Sequence, residues 1–145
     1  MTQSKKTALV TGGNRGIGFA ICQGLLTAGF DVFLAARNQE KGQAAVDKLS
    51  TDNNSVQLVE LDLAEDQSIN NAVNSVSQIT DSLAVLVNNA GIYPDLRGSK
   101  GVNILTVSRD LLIKSMNTNA FSPIVITQAF LPLLEKANNP KVINV

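Results

Sequence analysis

A strand that runs through four glycines into a helix constrains this chain more than any other feature it carries. Residues 7–25 read TALVTGGNRGIGFAICQGL. The opening Thr7-Ala-Leu-Val-Thr11 is short, apolar and β-branched, as a buried parallel strand should be. Glycines follow at Gly12, Gly13, Gly16 and Gly18, and Ile17, Ala20, Ile21, Leu25 and Ala28 then recur at helical spacing. Glycine between strand and helix lets backbone N–H groups approach a phosphate closely, and the helix N-terminus adds partial positive charge. The residues therefore read as a pyrophosphate site. The plainer alternative is a tight turn that only packs helix on strand.

The chain then repeats the alternation without a linker or low-complexity break. Gly29 closes the first helix and Asp31–Ala36 forms a second strand. A helix over roughly 40–49 takes its apolar positions from Ala44, Ala45, Val46 and Leu49, and the polar run 50–55 leads into a third strand over 56–61. Asp66 is placed to cap the next helix, in which Ile69, Ala72, Val73, Val76 and Ile79 keep three- and four-residue spacing. Residues 83–87 make the fourth strand. This order predicts an α/β fold, a Rossmann-type doubly wound parallel sheet covered on both faces, with its ligand at the carboxyl ends of the strands.

Composition narrows the partners. A chain of 145 residues with 44% hydrophobic content holds one core, hence one domain. Twelve basic residues balance twelve acidic ones, so no electrostatic footprint for nucleic acid or an anionic membrane exists. The longest apolar runs are strand-sized, too short to span a bilayer. Strand follows the polar start MTQSKK directly, with no apolar signal region, which points to the cytoplasm. Cys22 is the only cysteine and histidine is absent. An internal disulfide, a Cys/His zinc site and a Ser-His-Asp triad from this chain alone are therefore excluded, and no metal site is expected. Cys22 itself, on the first helix, reads as a packed and inert thiol.

The turn Thr11-Gly-Gly-Asn-Arg-Gly-Ile-Gly18 departs from the G-x-G-x-x-G of the commonest dinucleotide fingerprint. It resembles instead the cofactor motif of the short-chain dehydrogenase/reductase family, and the resemblance runs from about residue 7 to the last residue. By it, Thr11, Gly12, Asn14, Arg15, Gly16, Ile17 and Gly18 belong to the cofactor site. A second landmark ends the second strand. NAD-binding Rossmann folds keep an acid about 20 positions past the glycines for the ribose 2′-hydroxyl; here Ala36 is followed by Arg37. A carboxylate would repel a 2′-phosphate, whereas a guanidinium binds it through charge-assisted, bidentate hydrogen bonds. Arg15 can approach the same phosphate from the glycine turn, and basic residues at these two places accompany NADP(H) preference in the family. The bland alternative is a pair of solvated surface arginines.

The third landmark is Leu86-Val-Asn-Asn-Ala-Gly91, whose Asn88-Asn-Ala-Gly91 matches the family's Asn-Asn-Ala-Gly motif completely. Taken alone it would be an ordinary turn signal. The resemblance gives Asn89 a role in holding the central sheet and sets Asn88, Ala90 and Gly91 along the cofactor. Asp62 and Leu63 match the pair that flanks the adenine ring. The loop 92–103, IYPDLRGSKGVN, is rich in Gly, Pro and polar residues and sits where such loops shape a substrate pocket. Tyr93 is the only tyrosine, but Arg97 stands four residues on and Pro94 intervenes, so it is rejected as the tyrosine of a Tyr-x-x-x-Lys pair.

Ser108 opens a long helical stretch reaching Lys136, which Pro123 and Pro132 should keep from being one straight helix. Within it, Met116-Asn-Thr-Asn-Ala-Phe-Ser122 resembles the family segment with the active-site asparagine, here Asn119. In the family a local helix distortion at this residue frees a backbone carbonyl that holds a water in a relay to the catalytic lysine. A plain helix-capping asparagine is the competing reading. Residues 141–145 read as a fifth parallel strand. The family's catalytic serine comes just after this strand and its Tyr-x-x-x-Lys later, so the expectation is a single NADP-binding Rossmann domain over 1–145, truncated after the fifth strand and incomplete at its C-terminus.

The segment FLAARNQEKGQAA at residues 33–45 looks most like the carbonyl reductase branch. The implied function is an NADPH-dependent oxidoreductase that moves hydride between NADP(H) and a small carbonyl or alcohol substrate, this chain carrying the cofactor half. Assembly into a homo-oligomer is compatible with the resemblance. The other open reading is a non-catalytic dinucleotide-binding module or scaffold, should the natural chain end at Val145.

Overall fold

The computed structural model describes residues 5–93 and 102–145. Within them the chain runs β1 (Thr7–Thr11), α1 (Gly16–Thr27), β2 (Asp31–Ala36), α2 (Gln39–Leu49), β3 (Val56–Glu60), α3 (Asp66–Ser77), β4 (Val85–Asn88), α4 (Arg109–Met116), a π-helix (Asn117–Phe121), α5 (Ser122–Leu134) and β5 (Lys141–Asn144). The strands form one parallel sheet in the order β3-β2-β1-β4-β5. The chain builds outward from β1 to β3, then crosses back to place β4 on the other side of β1. That reversal opens a crevice at the carboxyl ends of β1 and β4, the place where doubly wound sheets bind ligands.

Alternation along β1 divides the core in two. Ala8 and Val10 face Cys22 and Leu26 of α1 and Ala45, Val46 and Leu49 of α2. Leu9 faces the opposite layer, with Ile69, Ala72 and Val76 of α3 and Ile126, Phe130, Leu133 and Leu134 of α5. Successive strand side chains point to opposite faces, so an unbroken apolar strand needs a helical layer on each side.

Several local expectations shift. The buried stripe of α1 is Gly18, Cys22 and Leu26, not the Ile17, Ala20, Ile21 and Leu25 face, and Ile17 is 66% exposed. Gly18 has to lie against the sheet, and that contact rotates the helix. Asp66 does not cap α3: Glu65 holds the N-cap position without a side-chain bond, and Asp66 is the first helical residue. The helix ends at Ser77, which leaves Ile79 outside it and exposed. In α2 Ala44 faces solvent while Gly42 is buried against the sheet. The fourth strand begins at Val85 rather than residue 83, because the Leu83 N–H donates to Leu133 O at 2.9 Å and so docks on α5 before the ladder starts. Pro132 lies inside α5 without ending it; near the last turn it removes only its own amide bond.

Candidate cofactor site

Two turns meet at the crevice, one after β1 and one after β4. Thr11 joins them. Its side chain is 2% exposed, and its Oγ1 accepts from Asn89 N and Ala90 N, each at 3.0 Å, while lying 3.4 Å from Val87 O, to which it donates. Asn89 returns the contact: its Nδ2 donates to Thr11 O at 3.0 Å and Gly12 O at 3.3 Å. The Thr11 hydroxyl is thus committed to the sheet, and Asn89 closes the clasp from the other strand.

This clasp leaves no room for a Cβ at two positions, Gly12 and Gly18. Gly12 has φ +66, and a Cβ there would meet Ala90 Cα at 3.0 Å. A Cβ on Gly18 would strike the Gly12 carbonyl oxygen and the Asn89 amide. Glycine at these two positions is what lets α1 start directly under the crevice. The Gly13 N–H donates to Ala35 O at 3.1 Å, which fastens the turn to the end of β2 as well.

The N-terminus of α1 differs from those of α2, α3 and α4. Asn38 caps α2 by accepting from Lys41 N at 2.8 Å, and Ser108 caps α4 by accepting from Leu111 N at 3.2 Å. In α3, Asp66 stands in the first turn. Arg15, the N-cap of α1, makes no side-chain cap bond, and no acid occupies the first turn. The first N–H groups of a helix have no intrahelical acceptor, and here no carboxylate competes for them. Beside the exposed Arg15 and Gly16, a Cβ built on Gly16 meets nothing within 4 Å. An anionic group fits this cradle.

Arg37 is exposed one residue past β2, beside the β1 end because Thr11 and Ala35 share a register. Among the described residues neither Arg15 nor Arg37 joins an ion pair. Asp62 and Leu63 are half-buried after β3, where Asp62 Oδ1 accepts from Ala64 N at 3.0 Å and Asp62 N donates to Ser68 Oγ at 2.9 Å. Asn14 and Ile17 flank the glycine turn, the first half-buried and the second exposed. Thus Gly12, Asn14, Arg15, Gly16, Ile17, Gly18, Arg37, Asp62, Leu63, Ala90 and Gly91 all lie at the carboxyl ends of β1 to β4.

Asn88 is buried instead, at 5% exposure, and its amide faces β5 and α5. The Thr127 hydroxyl donates to Pro123 O at 2.7 Å, so toward Asn88 it can only accept. That fixes the amide: Nδ2 donates to Thr127 Oγ1 at 3.3 Å and to Asn144 Oδ1 at 2.9 Å. Among the described residues Asn88 Oδ1 has no donor. The Asn88 side chain therefore serves β5, and its carbonyl accepts from Val145 N at 3.0 Å on the same side.

Asn119 sits in the π-helix, the distortion expected of its segment. Its amide holds Ile92 at both ends, as acceptor from Ile92 N at 2.8 Å and donor to Ile92 O at 2.9 Å. Gly91 makes room for it, since a Cβ there would lie 3.3 Å from Asn119 Oδ1. Asn119 therefore does not cap a helix. Tyr93 is 71% exposed; Pro94 and Arg97, and with them most of the loop 92–103, lie outside the described residues. Sequence reasoning missed Ser122, Thr127 and Asn144. Ser122 precedes a proline and reads as a boundary residue, and its long-range partner, Leu63 O, leaves no local signal.

Cys22 is fully buried beneath the turn, and burial pushes its thiol up to about 12. At neutral pH it is a protonated packing group. Among the described residues no helix is long and apolar enough to cross a membrane.

The sequence model described as short chain dehydrogenase matches residues 6–145. The short-chain dehydrogenase anuI of Penicillium roqueforti is 36% identical over 146 residues, covering 98% of this chain and 56% of that protein. Carbonyl reductase (NADPH) 1 of Mus musculus is 38% identical, covering all of this chain and 50% of its own length. The chain thus spans about half the length of these relatives. Among solved structures, the Pseudomonas aeruginosa RhlG/NADP active-site complex superposes with a TM-score of 0.84 at 34% identity, over 96% of this chain and 53% of that one.

Proposed function

Since the chain belongs to the short-chain dehydrogenase/reductase family, we propose that residues 1–145 form one NADP-binding domain of an NADPH-dependent oxidoreductase acting on a small carbonyl or alcohol substrate. The observation that carries this reading is the uncapped, acid-free N-terminus of α1 with Arg15 and Arg37 exposed at adjoining strand ends. The backbone N–H groups of the glycine turn and first helical turn bind the pyrophosphate. Arg37, helped by Arg15, neutralises a 2′-phosphate that an acid at that place would repel. Asp62 and Leu63 border the adenine, and the Asn88 backbone, Ala90 and Gly91 line the adenosine ribose. NADPH supplies the hydride when bound. The names of the mouse relative and of the Pseudomonas aeruginosa complex support the choice of NADP(H).

Asn119 works as a positioning residue on the reaction side. Its hold on Ile92 fixes the loop entering the substrate region, and the π-turn around it provides the backbone site for a proton-relay water. Proton donation to a carbonyl oxygen needs an acid placed near it, and no Tyr-x-x-x-Lys occurs within the 145 residues. The chain by itself therefore binds cofactor without turnover.

NADPH fluorescence tests the proposal, because the chain has no tryptophan to interfere. Titration with the 145-residue protein should enhance the signal, with NADPH bound at least about tenfold more tightly than NADH. Equal affinity for both cofactors rejects the 2′-phosphate assignment, and no binding of either rejects the cofactor site.

A further inference from the structure

The π-helix touches both loops that border the proposed cofactor groove, and a single buried hydroxyl makes one of the two contacts. Ser122 is 5% exposed. Its Oγ lies 3.0 Å from Leu63 O and 2.7 Å from Asn117 O. One hydroxyl carries one proton, so these two carbonyls share it. The Ser122 backbone N–H donates to the same Asn117 carbonyl, five residues back. Backbone and side chain of one residue thus both close the π-turn, while the hydroxyl also reaches across 59 residues to the loop after β3. Three residues earlier in the turn, Asn119 holds the loop after β4 through Ile92.

We propose that Ser122 is a positioning residue, whose hydroxyl locks the π register that aims Asn119 at Ile92 and ties that register to Leu63 beside Asp62. The geometry makes the dependence direct. Relaxing the turn to α spacing removes one residue from it, and a one-residue change rotates the side chains before it by about 100°. The Asn119 amide then no longer meets Ile92. The adenine-side loop and the reaction-side loop are therefore spaced by one turn, with Ser122 on one flank and Asn119 on the other. What occupies the groove between them rests on the cofactor reading above; the mechanical link does not.

Amide hydrogen exchange in the 145-residue chain tests the link without cofactor. Ser122→Ala should speed exchange at the Ile92 amide by about fivefold, the range a lost hydrogen bond of ordinary strength produces. The Leu86 and Val87 amides of β4 should stay within about twofold of their starting rates. In an Asn119→Leu background, where Ile92 has already lost its partner, Ser122→Ala should add nothing at Ile92. Unchanged Ile92 exchange in Ser122→Ala overturns the proposal. So does equal acceleration at Ile92, Leu86 and Val87, which would make Ser122 a general packing residue, and so does an undiminished effect in the Asn119→Leu background. Failure to bind NADPH would remove the cofactor reading and leave these exchange results standing.

Discussion

The Asn119 side chain pairs with the Ile92 backbone as a neighbouring strand would, accepting from its N–H at 2.8 Å and donating to its carbonyl at 2.9 Å. Twenty-seven residues separate the two positions. A carboxamide presents one donor and one acceptor side by side, so it can satisfy both polar groups of one residue in a loop that no sheet covers. The π-turn supplies the direction, and the small Gly91 supplies the space.

Asn119→Leu keeps the bulk and removes both bonds. The site is exposed, so each bond contributes at the low end of the usual range, and the chain should lose about 1–2 kcal/mol. The thermal midpoint should fall by about 3–8 °C. NADPH affinity should change by less than about threefold, because the phosphate contacts are at the β1 and β2 ends. A large loss of affinity at an unchanged midpoint would move Asn119 into the cofactor contact set.

Arg37→Asp exchanges a cation for an anion beside the end of β1. Losing a charge-assisted phosphate contact and adding repulsion should shift preference from NADPH toward NADH by roughly 2–4 kcal/mol. Isothermal titration with both cofactors reads the shift directly. Parallel losses for NADPH and NADH would mean that Arg37 does not meet the 2′-phosphate.

Two glycines of α1 should respond oppositely to alanine. A Cβ on Gly18 strikes the Gly12 carbonyl and the Asn89 amide, whereas one on Gly24 meets nothing within 4 Å. Gly18→Ala should therefore lower stability by roughly 2–3 kcal/mol and abolish NADPH binding by displacing the turn. Gly24→Ala, at a helix interior, should raise stability by about 0.5–1 kcal/mol. Urea midpoints of the two variants decide it; a tolerated Gly18→Ala would contradict the packing of the turn on Asn89.

Cys22 gives an alkaline signature. Its folded thiol is pushed up to about 12 by burial, while the unfolded thiol ionises near pH 8.5–9. Between those values the native state holds a proton that the unfolded state has released. Stability from this group is therefore complete below about pH 8.5 and falls as pH rises, at up to about 1.4 kcal/mol per pH unit. Cys22→Ala should show a shallower decline between about pH 9 and 10.5 than the unaltered chain, whatever its lower starting stability from the lost volume. At pH 8 the native thiol should resist a disulfide reagent until the chain unfolds. Prompt labelling of native protein would show that the turn opens over it.

The sequence by itself determined the alternation of strand and helix, the glycine turn, and the arginine in place of an acid after β2. Each is a local pattern: apolar period, glycine spacing, charge at one position. The tertiary structure decided which of two apolar stripes α1 buries. Ile17, Ile21 and Leu25 look as good as Gly18, Cys22 and Leu26 along the sequence, and only the approach of Gly18 to Gly12 and Asn89 selects the second. It likewise turned the Thr11 hydroxyl and the Asn88 amide inward to the sheet, although their motif positions suggest the cofactor. Ser122 became a bridge to Leu63 because α5 packs beside α3 under the loop that leaves β3. Such roles depend on which distant polar group a buried donor meets, and a buried donor must meet one. Periodicity carries the first kind of information along the chain, while the second arises only when the layers close.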